Sequence, residues 1–513
     1  MAGAAIETER DQIAARSSCE NLAREVISSA LATGIREFCI CTGKRDAPLI
    51  LLLKKIEGVR CYYWSEERSS AFFALGRIRV TKCPVAVITT SGSAAAELLP
   101  AAMEAHYTGL PLLMMTADRP RKMRGTGAPQ AVEQVGLFSH YTHFEQDMES
   151  GETCALERWG LRGPAHLNVC FEEPKAEVYD GVGLSPAMYK EAAPLTNHSL
   201  ELSDFLHDKK HPLAIVSTLS VDTRDAVHQF LKRSGMTAYL EAVSGLREKS
   251  DLQGQRTFKL TGEYDAILRI GGVPTARIWR DLEEHPMPTF CLSEQPFSGL
   301  SWMKTEAADI TKTLNECDVC QFSETVVPDL LIEEKIRSLP LAEPSLVRAL
   351  SEVIPKQSLV YLGNSMPIRE WDRYATSEDR GFEVAASRGV NGIDGQLSTF
   401  LGFCSPKSEN WAIVGDLTAL YDLVAPWIFE QMDTCPITIV IINNGGGKIF
   451  SHHFPDSEMQ CRHSHRFEYW AKMWNFDYLC WHSVPETLPL AKMPRVIELI
   501  PDEEQTVSFW KSS

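Results

Sequence analysis

The sequence has no uninterrupted apolar stretch approaching the ~18 residues of a membrane span, so none is expected. Positive charge is also short: 51 Lys and Arg stand against 68 Asp and Glu, a net charge of −17. That balance opposes a phosphate backbone or an anionic membrane surface and argues against nucleic acid as a partner. The first forty residues are charged throughout, with no apolar run of about 7–15 residues and no Arg/Ser-rich, acid-poor leader. Neither secretion nor organelle import is expected, and the expected location is the cytoplasm. The fourteen cysteines are scattered, as buried small hydrophobes of a reducing compartment rather than as a disulfide framework. With 44% hydrophobic and 23% charged residues, neither wholesale disorder nor a fibrous protein fits.

What remains is a folded chain of 513 residues, long enough for about three domains. Proline-containing stretches over Leu184 to Thr196 and Phe322 to Pro344 read as linkers and divide it into 1–185, 197–335 and 343–513. Within each part short β-branched runs alternate with helical patterns, as in Val85–Ile88, a helix over Ala94 to His106, then Leu112–Met115. The expected fold class is α/β, parallel sheets flanked by helices. An internal repeat relates the outer parts. The segment from Pro84 to Pro120 lies on the segment from about Asn410, strand on strand and turn on turn, with Pro111 falling on Pro436 at an offset of 325 residues. Upstream, after one extra residue, Ala74-Leu75-Gly76 lies on Phe400-Leu401-Gly402. Matched halves of this kind build their site at the carboxyl ends of the strands.

The equivalent turns differ in chemistry. The first carries Ser91-Gly92-Ser93; the second carries Gly415-Asp416, and the next strand ends in Asn443-Asn444-Gly445-Gly446-Gly447. A carboxylate, a carboxamide and a glycine carbonyl on one sheet edge make a hard oxygen site of low charge, suited to Mg²⁺ completed by phosphate oxygens. Taken singly, the same residues serve a strand end and an Asn-Gly turn. A Gly-Asp pair followed some twenty-five residues later by a double asparagine resembles the magnesium–diphosphate signature of thiamine diphosphate enzymes, which also consist of two related outer domains around a middle one. The resemblance implies thiamine diphosphate with Mg²⁺ (or Mn²⁺) as cofactors, and Asp416, Asn444 and the Gly446 carbonyl as metal ligands. It implies Glu67, in Trp64-Ser65-Glu66-Glu67-Arg68, as the catalytic carboxylate that hydrogen-bonds the aminopyrimidine and promotes loss of the thiazolium proton. Such acidic residues also suit the first turn of a helix, with Ser65 able to cap it.

Further segments narrow the likeness: Thr116-Ala117-Asp118-Arg119-Pro120, Gly363-Asn364-Ser365 with Arg369, Ser387-Arg388-Gly389 with Gly392-Ile393-Asp394-Gly395, and Ile449-Phe450. Together they resemble the 2-succinyl-5-enolpyruvyl-6-hydroxy-3-cyclohexene-1-carboxylate synthase family, over residues 36 to 140 and 358 to 452. The reaction that this resemblance implies adds 2-oxoglutarate to isochorismate with loss of CO₂. Both are dicarboxylates, for which arginine forks are the fitting ligands. The implied substrate residues are Arg45, Arg119, Gln130, Arg277, Ser365, Arg369, Arg388, Ile449 and Phe450, with Ile393 as the wedge that bends the cofactor. A homodimer or homotetramer is implied, because the family builds its site from two subunits. Three positions depart from the family pattern: Lys44 and Asp46 flank Arg45, and Pro129 replaces an asparagine. They keep open a different acceptor for the same cofactor, or a paralogue without catalysis. Two other clusters stand apart. Cys317 and Cys320 have CxxC spacing without a second pair, and His452, His453, Cys461, His463 and His465 form a group fitting a closing segment, a solvated loop or zinc.

Overall fold

The computed structural model describes residues 17–511 except 176–178, 190–191, 198–200, 261, 263, 320, 323–325, 327–329, 452–453, 455–457 and 490–493. Three parallel sheets carry the fold. The first contains β1 (Glu37–Cys41), β2 (Arg60–Trp64), β3 (Val85–Thr89), β4 (Leu112–Asp118), β5 (Phe144–Met148) and β6 (Ala165–Cys170), in the order β2-β1-β3-β4-β6-β5. The second contains β7 (Pro212–Val216), β8 (Thr237–Leu240), β9 (Ala266–Ile270) and β10 (Thr289–Leu292), in the order β10-β9-β7-β8. The third contains β11 (Leu359–Leu362), β12 (Glu383–Ala385), β13 (Asn410–Gly415), β14 (Ile437–Ile442), β15 (Asp477–Trp481) and β16 (Arg495–Leu499), ordered β12-β11-β13-β14-β16-β15. First and third sheets therefore share one topology, as the repeat requires. Their central strands are buried on both faces, which is why they read as continuous apolar runs such as Ile437–Ile442.

The helix expected over Ala94 to His106 is two, Ser93–Ala96 and Leu99–Thr108. Pro100 is confined to the first turn of the second, where its missing N–H costs nothing. The repeat breaks in the same way, into Asp416–Tyr421 and a 3₁₀ turn over Ala425–Gln431 that begins with Pro426. Part of the stretch expected as the second linker is also ordered, as the Leu330–Ser338 helix.

The chain forms two compact units. The first comprises Met1–Ala193 together with Leu397–Phe403 and Val424–Met432. Its Glu67–Thr81 helix is buried over most of its surface, which Ser69, Ser70, Ala71, Ala74 and Gly76 make possible by keeping it thin. A Cβ on Gly76 would stand 2.1 Å from the Thr399 carbonyl oxygen, and one on Gly402 would stand 2.1 Å from that of Phe73. Gly76 and Gly402, like Phe73 and Thr399, are repeat equivalents, so the two contacts are images of each other. On the edge strand β2, Tyr63 donates its N–H to Gln431 Oε1 at 2.7 Å, while its carbonyl accepts from Gln431 Nε2 at 2.7 Å and Trp427 Nε1 at 2.9 Å. These bonds satisfy edge groups that would otherwise stay open, just before the turn that presents Glu67.

The second unit comprises Pro194–Gln396, Cys404–Leu423 and Asp433–Ser513 and holds the other two sheets. Arg247, fully buried, donates to the carbonyl oxygens of Asp372, Ala375 and Thr376, each at 2.9 Å, and so satisfies the end of the Met366–Tyr374 helix. Asp372 Oδ1 in turn accepts from the Ala242 amide at 2.7 Å.

Gly76→Ala and Gly402→Ala should each destabilise the protein by about 1–3 kcal/mol or more, as overpacked sites do. Thermal unfolding should show midpoints several degrees lower, whereas Gly160→Ala, which meets nothing within 4 Å, should leave the midpoint in place.

Candidate active site

In the first unit the Trp64–Arg68 segment leaves β2 and enters the Glu67–Thr81 helix. The capping residue is Glu66, not Ser65: its carboxylate accepts from the Ser69 amide at 2.8 Å and the Arg68 amide at 3.2 Å. Glu67, one residue on, is left out of the cap. Burial pushes its carboxyl above the ordinary range, and the charges of Glu66 and Glu97 add to the shift. Glu67 lines a cavity of about 460 Å³ with Glu66, Thr90, Ser91, Ser93, Glu97 and Gln130. The structure thus brings Glu67 and Gln130 together.

The two expected arginines of this unit are placed differently. Arg45, buried, donates through Nη1 to the carbonyls of Phe171 at 3.1 Å and Glu172 at 3.0 Å, and through Nη2 to Glu173 at 2.9 Å. Arg119 is half-buried and donates from Nε to the Pro129 carbonyl at 2.6 Å. The same geometry places Lys44, Asp46 and Pro129. Lys44 points outward, 74% exposed, and pairs with Glu173. Asp46 points inward: its Oδ1 accepts from the Gly43 amide at 2.8 Å, and burial raises its carboxyl to about 7. Pro129 still offers its carbonyl, to Arg119.

In the second unit Asp416 opens the helix after β13. Its Oδ1 accepts from the Leu417 amide at 2.6 Å, and its Oδ2 from the amides of Gly445 at 2.9 Å and Gly446 at 3.0 Å. One carboxylate therefore ties together the turns after β13 and β14. Gly446, at φ 137°, has backbone where a Cβ would lie 2.6 Å from the Gln460 carbonyl oxygen. The two asparagines separate cleanly. Asn443 donates to Glu498 at 2.7 Å and to the His465 carbonyl at 2.9 Å, a structural pairing. Asn444 donates from Nδ2 to Glu343 at 2.9 Å, and its buried Oδ1 has no hydrogen-bond partner. An unpaired carboxamide oxygen beside Asp416 is the donor type a hard cation uses, so the residues fit an Mg²⁺–diphosphate group.

The segment after the glycines crosses this turn. Gly447 donates to the Gln460 carbonyl at 2.6 Å, and His463 Nε2 lies 3.3 Å from Asp416 Oδ2. The described part of the histidine group therefore sits on the site; His452 and His453 lie outside the described residues, as does Cys320 of the CxxC pair. Among the described residues no group of three or more His, Cys, Asp or Glu side chains is arranged to hold a metal ion.

At the ends of β11 and β12 one side chain gathers three motifs. Asn364, buried, donates from Nδ2 to the carbonyls of Ser387 at 2.9 Å and Gly392 at 2.8 Å, accepts from Arg388 at 2.7 Å, and binds Gln396 through its amide at 3.0 Å. Ser365 follows at φ 72°, a strained conformation for a non-glycine residue at a helix start. Its carbonyl accepts from Arg369 Nη1 at 2.6 Å. Burial lowers the Arg369 pKa, and the neighbouring Arg388 lowers it further, so two cations share this edge. Half-buried Ile393 lies in the same loop system, while Ile449 and exposed Phe450 form the 3₁₀ turn after the glycines. Arg277 is not brought to this edge by any recorded contact; it is 55% exposed and pairs with Asp281 at 3.4 Å.

A pair that sequence reasoning missed lies behind Asn444. Glu343 and Glu370 are buried against each other, and burial raises both carboxyls, Glu343 to about 7 and Glu370 well above its ordinary range. In the sequence Glu343 reads as an ordinary first-turn acid, and nothing marks it as Glu370's neighbour.

Comparison with known proteins identifies the family. Residues 21–137 match the family "Thiamine pyrophosphate enzyme, N-terminal TPP binding domain". Repeated six-stranded sheets and this match define a thiamine diphosphate-dependent enzyme. A protein of Bdellovibrio bacteriovorus called 2-succinyl-5-enolpyruvyl-6-hydroxy-3-cyclohexene-1-carboxylate synthase is 42% identical, over 96% of this chain and 98% of its own length. Proteins of the same name from Akkermansia muciniphila and Lysinibacillus sphaericus are 36% and 28% identical, each over 94% of this chain and 96% and 95% of their own lengths. The chain belongs to the 2-succinyl-5-enolpyruvyl-6-hydroxy-3-cyclohexene-1-carboxylate synthase family.

Because the folded pKa of Glu370 lies above its unfolded value, folding takes up a proton, and the stability tied to it is lost as pH rises. In cofactor-free protein, Glu370→Gln, which supplies a permanent amide donor to Glu343, should raise the thermal midpoint at pH 8. The advantage should shrink towards pH 5.

Proposed function

We propose that the chain catalyses the decarboxylative addition of 2-oxoglutarate to isochorismate, giving 2-succinyl-5-enolpyruvyl-6-hydroxy-3-cyclohexene-1-carboxylate and CO₂. What carries the proposal is similarity along nearly the whole chain to proteins named for that product, 42% over 96% in one case. The clustering of Arg369 and Arg388 at one strand edge supports it, because both substrates are dicarboxylates. Of the departures, Lys44 faces outward and Pro129 keeps its carbonyl available to Arg119.

When bound, thiamine diphosphate supplies the acidic carbon that adds to a 2-oxo group and the electron sink that lets CO₂ leave. The chain's own residues do the rest. Glu67 holds and moves a proton at the aminopyrimidine, a role for which its raised pKa and freedom from capping suit it. Asp416, Asn444 and the Gly446 carbonyl would hold Mg²⁺, or Mn²⁺, for the diphosphate, and Ile393 would support the cofactor from below as an apolar contact. Arg369 and Arg388 orient carboxylates, with Arg45, Arg119, Gln130 and Ser365 as further substrate contacts and Ile449 and Phe450 as an apolar wall; Arg277, exposed and paired with Asp281, takes no part. In this reading residues 1–185 form the pyrimidine-binding domain, 197–335 a central domain and 343–513 the diphosphate-binding domain. The enzyme acts as a homodimer or homotetramer in the cytoplasm.

The experiment is to follow the ultraviolet absorbance of isochorismate with the protein, Mg²⁺, thiamine diphosphate and 2-oxoglutarate, omitting each in turn and checking product mass. Loss of absorbance that needs every component is expected. No loss, with cofactor bound, would overturn the proposal, and CO₂ release from 2-oxoglutarate alone would then point to a different acceptor. A second prediction concerns the metal: Glu343→Ala removes the acceptor that orients Asn444, and outer partners of this type are worth about 10–100-fold in metal affinity. Calorimetric titration with Mg²⁺ in the presence of thiamine diphosphate should show a loss of that size.

A further inference from the structure

We propose that Gln134 is a positioning residue for the Glu67 cavity: its hydrogen bond to the Gly92 amide sets the Thr90–Ser93 turn against which Gln130 packs. The inference rests on the reading that this cavity takes the cofactor. Gln134 lies in an exposed stretch, between exposed Glu133 and Val135, yet is itself fully buried. Its Oε1 accepts from the Gly92 amide at 2.9 Å, and its Nε2 donates to Asn168 Oδ1 at 2.8 Å.

The orientations of the two amides, Asn168 and Gln134, are fixed from the far end of this chain. Asn168 donates from Nδ2 to Asp118 at 3.1 Å and Asp147 at 2.7 Å. Burial would raise the Asp147 carboxyl, but hydrogen bonds from Arg124, Asn168 and Arg121 hold it well below the ordinary carboxylate range, so it only accepts. Asn168 must therefore turn Oδ1 towards Thr116 and Gln134. The Thr116 hydroxyl lies 3.1 Å from that oxygen and 2.8 Å from His166 Nε2, and His166 Nδ1 meets Glu145 at 3.1 Å. With its NH₂ committed to Asn168, Gln134 has only its carbonyl oxygen for Gly92. A flipped amide would set oxygen against oxygen at one end and N–H against N–H at the other.

Gly92 converts this order into cavity shape. Its φ of 94° belongs to glycine, and a Cβ there would lie 3.3 Å from that of Gln130. Gln130, itself at φ 57°, donates to the Ser91 carbonyl at 3.5 Å. Ser91 and Gln130 line the cavity with Glu67, whereas Gln134 does not. Gln134 thus acts through Gly92.

The test uses the full chain with thiamine diphosphate and Mg²⁺ and two variants. Gln134→Met keeps the length and loses both bonds; Gln134→Glu keeps an acceptor for Gly92 and sets an acceptor against Asn168 Oδ1. Amide hydrogen exchange over Thr90–Ser93 should accelerate at least tenfold in both, with peptides around Asp416 and Asn444 unchanged. Turnover should fall at least tenfold at temperatures where both variants remain folded, while Mg²⁺ affinity stays within twofold. Unchanged exchange over Thr90–Ser93, or unchanged turnover, in a folded variant would overturn the proposal. If Gln134→Met does not fold, Gln134→Glu decides alone. Failure of the wild-type protein to bind thiamine diphosphate would instead overturn the underlying reading of the cavity, because the exchange measurement on cofactor-free protein stands without it.

Discussion

The close approach at Gly76 and Gly402 is the constraint on which the first unit depends. Each glycine lets the opposing helix bring a backbone carbonyl to a place that any side chain would occupy, and each contact repeats the other through the internal duplication. Sequence repetition alone would need only a common fold. Reciprocal contact between equivalent residues means that the duplicated helices pack on each other through the same surface, as matched surfaces related by a two-fold do. The Glu67–Thr81 helix is held by this crossing, and its first turn is where the site begins.

Neighbouring residues with the same chemistry divide the work of the site. Both glutamates line the cavity, but Glu66 is consumed by the helix-start amides and Glu67 is not; Asn443 is consumed by Glu498 and Asn444 is left with an open oxygen. In each pair the structural member satisfies backbone or buried polar groups, and the other can take up a ligand because it is spared that task. Two arginines share one strand edge in an acidic chain, Arg388 anchored by Asn364 and Arg369 by the Ser365 carbonyl. Buried polar side chains fix these orientations, and each has its direction set by a partner that can only accept or only donate.

Much of this was legible in the sequence. The shared sheet order, the turns after β13 and β14 and the placement of Glu67 after β2 follow from strand and glycine patterns that depend on local chemistry. Ser65 reads as able to cap the helix because a serine before a helix is the usual signal, whereas the extended backbone of Glu66 lets its longer side chain take that place. The broken helix after β3 was marked by Pro100, a signal that gave way to the apolar pattern around it. Glu343, Glu370 and Gln134 were invisible for a different reason. Their roles arise from contacts across 101 residues to Asn444 and 42 residues to Gly92, and no local pattern encodes such pairing.

The central claim is that Glu66 builds the helix and Glu67 performs the chemistry, and comparing Glu66→Ala with Glu67→Gln tests it most directly. Thermal midpoints and turnover should be measured on both. Loss of the cap should cost Glu66→Ala about 0.5–2 kcal/mol of stability, with turnover kept within tenfold of the wild-type value. Glu67→Gln should keep its midpoint and its thiamine diphosphate affinity while turnover falls by about 10²–10⁴-fold, the usual worth of a positioned acid–base group. Turnover in Glu67→Gln within tenfold of wild type, with cofactor bound, would contradict the account.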